Sequence, residues 1–328
     1  MAADDVVVEV TDLTKKYGEF VALDRLTLSV GRGQILGFIG PNGAGKTTAI
    51  KILVGLARPT SGTARIGGID CAAEPRRVKR LVGYMPDTFG GYDNMRVSEY
   101  LDFFGAAFGL RRRELAGRVG AVLDAAGAGR FRDLYVESLS HGMKQRVAVA
   151  RTLLHDPAAL ILDEPANGLD PPARIEMRQL LTGLAERGKT LIVTSHILPE
   201  LARICHRVAI VTRGRLRAYG TADEIARQLS PLRTIEVLLT DAAAADRAAE
   251  VVRRYVEPEA EVAPAPAEFA VRFRTARTDG DLAGLLAGLV TAGVPVAQFR
   301  EVQTDLEEAF MTLAREGQTA TAQTAEAA

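Results

Sequence analysis

The residues best equipped for chemistry are Gly40-Pro41-Asn42-Gly43-Ala44-Gly45-Lys46-Thr47-Thr48. They fit a phosphate-binding pattern: Gly, four residues, then Gly-Lys-Ser/Thr. Glycines let the backbone turn its N–H groups toward one point, where they cradle an anion. Lys46 adds a positive charge for β- and γ-phosphates, and Thr47 offers a hydroxyl to Mg²⁺. A second candidate pair, Asp163-Glu164, ends the apolar run 159–162. A carboxylate at such a strand end can hold the Mg²⁺ that Thr47 also touches, a role that suits Asp163. Glu164 lies one residue further, placed to orient or deprotonate water. The chemistry implied is phosphoryl transfer from a nucleoside triphosphate to water.

These groups need elements to hold them. Residues 34–39 read as a buried strand entering the loop, and residues 46–55 as a helix leaving it. Between loop and carboxylates lies Leu139-Ser140-His141-Gly142-Met143-Lys144-Gln145-Arg146. Here the chain resembles the ATP-binding subunits of ABC transporters, whose signature is a Leu-Ser-Gly-Gly-Gln-like segment opening a helix. The resemblance continues in order. Tyr17 precedes the loop, Asn167-Gly168-Leu169-Asp170 follows Glu164 like the family's D-loop, and Thr194-Ser195-His196 ends a strand like its switch histidine. It covers about residues 5–225.

The resemblance implies a P-loop ATPase core of α/β class, with an antiparallel β layer and a helical subdomain. It implies ATP and Mg²⁺ as ligands, a second copy or a paralogous ATPase subunit placed head to tail, and a membrane permease as partner. Residue by residue, Tyr17 stacks on adenine; its other reading is an ordinary half-buried tyrosine at a strand end. Gly40 to Thr48 hold phosphates and Mg²⁺, and Asp163 reaches Mg²⁺ through water. Glu164 is the base, His196 contacts the γ-phosphate and orients water, and Asp170 contacts the opposing chain. Ser140 and the amides of Gly142 and Met143, at a helix N-terminus, form an anion site. The helical insertion carries Ser140 away from its own Lys46, so a partner chain is expected to bring it there.

Two departures stand out. His141 and Met143 replace the commoner Gly and Gln of the signature. Asp87 stands where the family usually has Gln, after a strand ending near Met85. It is expected either to help hold Mg²⁺ or to turn outward after Pro86.

With 328 residues, two domains are expected. Basic and acidic residues balance at 41 each, so no global field favours nucleic acid, and none is expected as a partner. Cys71 and Cys205 lie far apart without metal spacing, which points to a reducing compartment. The acidic start has no signal-peptide character. Residues 282–299 form an uncharged run of eighteen, but Gly293-Val294-Pro295 interrupts it, and Leu282, Leu285, Leu286 and Leu289 share one helical face. A helix, a turn and a strand are expected there, with no membrane span. The pore then belongs to another polypeptide, and the chain is expected in the cytoplasm, peripheral on the inner face of the membrane.

The expected organisation is an ATPase domain over residues 1–230, with a helical insertion at about 88–155 and a boundary at Ser230-Pro231. A ferredoxin-like α+β domain follows over 231–315, in the order βαββαβ, with a hairpin around residues 264–267 and a last helix at 306–315. Residues 316–328, rich in Ala, Thr and Gln, are expected to be disordered. Tyr84, Phe89, Tyr92, Tyr100, Phe103, Phe104 and Phe108 crowd one span. Helical spacing buries Phe104 and Phe108 and turns Tyr100 and Phe103 elsewhere, either as local core or as a groove for a permease helix. The function expected is ATP hydrolysis driving export. The alternative is a soluble ABC ATPase on ribosomes or DNA, against which stand the single P-loop and the absence of heptads.

Overall fold

A computed structural model describes residues 5–90, 94–195, 201, 203–229 and 232–302. It divides into two compact units, with the division between Ala222 and Asp223.

The first unit opens with two long strands, β1 (Val6–Tyr17) and β2 (Phe20–Gly31), paired antiparallel. Register shifts let the pair run on through polar residues, and Asp12 and Arg25 take positive φ there. Strands β4 (Ser61–Ile66) and β5 (Ile69–Asp70) complete a sheet ordered β2-β1-β4-β5. A second sheet holds β3 (Ile35–Ile39), β6 (Val82–Met85), β7 (Ala159–Leu162), β8 (Thr190–Ser195), β9 (Arg207–Thr212) and β10 (Arg215–Gly220), ordered β10-β9-β3-β8-β7-β6. Its pairings are parallel except β9 with β10. Every residue of β3, β7 and β8 is buried, as expected of parallel strands covered on both faces.

The helix α1 (Lys46–Leu53) supplies Ile50 and Ile52 to a core that also takes Val8, Leu13 and Leu26 from the antiparallel sheet and Phe38 and Ile161 from the parallel one. Each such side chain, fully buried, contributes about 1.5–3 kcal/mol. Because β3, β8, β7 and β6 are neighbours and parallel, the loops after them emerge at one end of the sheet. That end is where ligands bind in open α/β sheets.

The helix α2 (Pro75–Leu81) leads into β6, and α3 (Val97–Ala107), α4 (Arg112–Ala125) and α5 (His141–Leu153) lie between β6 and β7. The helix α6 (Pro171–Glu186) connects β7 to β8. The expected burial of the aromatics on α3 needs correction. Tyr100 is 0% exposed, while Phe108 is 45% exposed. Tyr100 tolerates burial because its hydroxyl donates to Gly90 O (2.9 Å) and accepts from Arg151 (2.7 Å). Phe108 falls just past the end of α3 and stacks on His155 instead. Phe103 remains on the surface, and Tyr92 lies outside the described residues.

The second unit runs α7 (Ala222–Leu229, its first residue belonging to the first unit), β11 (Arg233–Leu239), α8 (Ala245–Tyr255), β12 (Val262–Ala265), β13 (Ala270–Thr275), α9 (Asp279–Thr291) and β14 (Val296–Val302). Its sheet is antiparallel, ordered β12-β13-β11-β14, and Ile235, Val237 and Phe273 meet Val252, Leu285 and Leu289 from α8 and α9 in its core. The hairpin lies later than expected. β12 runs through Pro264 to Ala265, and the turn falls at Pro266–Glu268 with Phe269 left-handed. β12 is an edge strand, where proline's missing N–H costs no ladder bond. The uncharged run forms α9, a turn and β14, with Leu282, Leu285 and Leu289 buried. Among the described residues no helix is long and apolar enough to cross a membrane. Ser230-Pro231, the helix expected at 306–315 and the tail at 316–328 lie outside the described residues.

Candidate active site

The loop after β3 is shaped by close approach. A Cβ on Gly40 would sit 2.3 Å from Val211 O, and one on Gly45 would sit 2.6 Å from Ala22 O. Gly45 also has φ 105°, outside the range of other residues. The chain then enters α1, whose first N–H groups have no intrahelical acceptor and favour an anion. Loop and helix line a cavity of about 520 Å³ with Pro41 to Thr48, Phe20, Ala22, Pro86, Asp87, Thr88, Asp163 and Glu164. Lys46 Nζ donates to Gly40 O (2.5 Å) and Pro41 O (3.2 Å). Burial lowers its pKa, and the charges of Glu164 and Asp163 oppose that shift. A phosphate in the cavity would compete with those carbonyls for the ammonium.

The carboxylates are fixed by the sheet. Asp163 N donates to Met85 O (2.8 Å) at the end of β6. Its Oδ1 accepts from Thr194 Oγ1 (2.6 Å), and the same hydroxyl accepts from Glu164 N (2.9 Å). One buried threonine on β8 thereby holds the Asp163 carboxylate and the Glu164 backbone. Glu164 is left-handed, φ 53°, a conformation costing on the order of 1–3 kcal/mol for a residue with a side chain. Neighbouring Tyr84 has its pKa raised by burial and then by the charges of Asp163 and Asp87.

A second cavity, about 430 Å³, opens at the N-terminus of α5. It is lined by Ser140, His141, Gly142, Met143, Arg130 and Arg146, together with Gly168, Leu169, Asp170 and Glu176, among others. Ser140 caps α5, its hydroxyl accepting from Met143 N (3.4 Å). Asp170 caps α6, accepting from Ala173 N (3.0 Å). The two cavities share no lining residue.

The structure thus gathers Pro41 to Thr48, Asp87, Asp163 and Glu164 around one cavity, with Gly40 outside its lining but bonded through its carbonyl to Lys46, and Ser140, Gly142 and Asp170 around another. Tyr17 does not line the first cavity. It is 51% exposed beside Lys15, whose ammonium lies 4.8 Å from the ring centre. Its partner across the β1–β2 turn, Phe20, lines the cavity instead. His196 lies outside the described residues. Two residues of the first cavity and its acids, Phe20 and Thr194, are not among those the sequence singles out for a role. Phe20 was legible as a second aromatic beside the turn, whereas the bond from Thr194 to Asp163 depends on the pairing of β7 with β8. His206 and His155 are structural: Ile35 N donates to His206 Nδ1 (3.1 Å), and His155 Nε2 lies 3.0 Å from Val82 O.

A profile of the ABC transporter family matches residues 23–167. The probable multidrug ABC transporter ATP-binding protein YbhF of Escherichia coli is 39% identical over 224 residues, 68% of this chain and 39% of that protein. The chain therefore spans well under half the length of that relative. The Nod factor export ATP-binding protein I of Ralstonia nicotianae is 34% identical over 308 residues, 94% of this chain and 93% of that one. Among solved structures, a bacterial ABC transporter cassette solved as a dimer aligns with TM-score 0.59 and 27% identity, over 65% of this chain and 98% of that chain. The chain belongs to the ATP-binding proteins of the ABC transporter family.

Proposed function

We propose that this chain is the ATP-hydrolysing subunit of a membrane exporter, working as a head-to-tail pair with a second copy or a paralogous subunit. The observation that carries this reading is the separation of the two half-sites. The phosphate loop and carboxylates line one cavity, and the Ser140 helix end lines another with no residue in common. Two chains facing each other join the halves, and ATP lies between them.

In that site the α1 amides and Lys46 hold the phosphates, and Phe20 or Tyr17 flanks the base. Mg²⁺ takes few protein ligands beside phosphates and water. Thr47, Asp163 and Asp87 are hard oxygen donors around one cavity and fit that role. The ion, when bound, neutralises phosphate charge. Glu164, held in its unusual conformation by Thr194 and the following turn, takes the proton of the attacking water. Ser140 and the α5 amides receive the γ-phosphate of the opposing chain's nucleotide, and Asp170 lies at the same face. His196 is assigned the contact to the γ-phosphate on resemblance alone.

The permease is a separate polypeptide, and the subunit sits on the cytoplasmic face of the membrane through it. The relatives' names, multidrug and Nod factor export, favour export. We read the second unit as a ferredoxin-like accessory domain, from its βαββαβ order and its sheet order.

Glu164→Gln tests the chemistry. It should lower turnover by about 10²–10⁴-fold, keep ATP binding, and accumulate an ATP-dependent dimer on sizing chromatography. Near wild-type turnover would remove Glu164 from the role of base.

A further inference from the structure

Within one chain, a continuous hydrogen-bonded path joins the anion-binding end of α5 to the carboxylates. His141 Nε2 lies 2.8 Å from Asn167 O. A carbonyl only accepts, so Nε2 carries the proton and donates. Asn167 N donates to Glu164 O (3.0 Å), Glu164 N donates to Thr194 Oγ1 (2.9 Å), and Thr194 Oγ1 donates to Asp163 Oδ1 (2.6 Å). The buried Gln145 amide lies beside this bond: its Nε2 stands 3.4 Å from His141 Nε2, and its Oε1 has no hydrogen-bond partner among the described residues.

The loop between Glu164 and α6 is seated on this ring. Gly168 has φ 69°, and a Cβ there would come 3.3 Å from His141 Nε2. On the other side, Arg146 of α5 pairs with Glu176 of α6, and Asp170 caps α6. The start of α5, the loop and the start of α6 are therefore tied together. Glu164 sits at the end of that block in a strained conformation, the kind that persists only when its surroundings hold it.

We propose that His141 is a positioning residue for Glu164. A phosphate from the opposing chain at the α5 N-terminus fixes His141, and His141 fixes the loop that sets the base of its own chain. Each nucleotide of the pair then prepares hydrolysis of the other. This rests on the paired reading above.

Steady-state ATPase against ATP concentration tests it, using wild type, His141→Ala and His141→Gln, whose amide nitrogen reaches the position of Nε2. Wild type should show a Hill coefficient above 1, bounded by about 2 for two sites. His141→Ala should lower kcat about tenfold and bring the Hill coefficient to about 1, with binding of a fluorescent ATP analogue by the isolated monomer unchanged. His141→Gln should restore both values. Should His141→Ala melt early, His141→Leu fills the ring's space without a donor. Wild-type cooperativity and kcat in the Ala or Leu variant, or a non-cooperative wild type, would overturn the proposal. The ATP-dependent dimer of Glu164→Gln separates the two ideas. If that dimer forms and His141→Ala behaves as wild type, the pair stands and the role of His141 falls. If no dimer forms, both fall.

Discussion

Asp87 and Thr194 differ in how far residue type alone reveals a role. The phosphate loop was legible because its chemistry needs a fixed run: glycines where Val211 O and Ala22 O crowd the backbone, then Lys46 and Thr47. Asp163 and Glu164 were legible as acids ending an apolar strand. Thr194 and His141 were not, because their hydrogen bonds join segments 31 and 26 residues apart, and no local pattern encodes that distance. Asp87 stands between these cases. It lines the same cavity as Asp163 and Glu164. Near a γ-phosphate an ionised aspartate is repelled by about 4 kcal/mol at 4 Å under an effective dielectric of 20. A nearby divalent cation reverses the sign. Asp87→Asn should therefore raise the Mg²⁺ concentration needed for half-maximal ATPase activity. A metal titration unchanged from wild type would leave Asp87 as a turn residue after Pro86.

The elements were read well where periodicity was strong and poorly where neighbours decide. The strand–loop–helix of the phosphate site follows from local pattern. The length of β1 and β2 and the position of the β12–β13 turn do not, since bulges and an edge position admit residues that local rules exclude. On α3 helical spacing alone does not decide which aromatics are buried, because the Gly90 and Arg151 partners that let Tyr100 enter the core lie outside the helix. The correction sharpens the partner prediction. Phe103 is 46% exposed and Tyr100 is buried, so of the two it is Phe103 that is suited to meet a permease helix. Phe103→Glu should leave the melting temperature nearly unchanged and abolish co-purification with the permease. Tyr100→Glu should instead destabilise the protein by several kcal/mol, since it buries a charge and removes the partner of Arg151. A large fall in melting temperature for Phe103→Glu would assign that ring to the core.

At the scale of the whole molecule the decisive feature is incompleteness. One chain carries a phosphate loop with its carboxylates at one cavity and, apart from them, a Ser140-capped helix end at another. The order of motifs along the sequence already implied a paired site, because residues 88–155 separate Ser140 from Lys46. The structure adds that the cavities share no residue, and that His141 links one to the acids of the other. The most direct measurement mixes two inactive variants, Ser140→Arg and Lys46→Ala. In a head-to-tail heterodimer one site combines both lesions and the other has neither, so ATPase activity should reappear on mixing and follow the heterodimer population as the ratio of the two is varied. Mixtures that stay inactive while the variants form mixed dimers, or wild-type rates strictly linear in protein down to concentrations where only monomers exist, would contradict a site shared between chains.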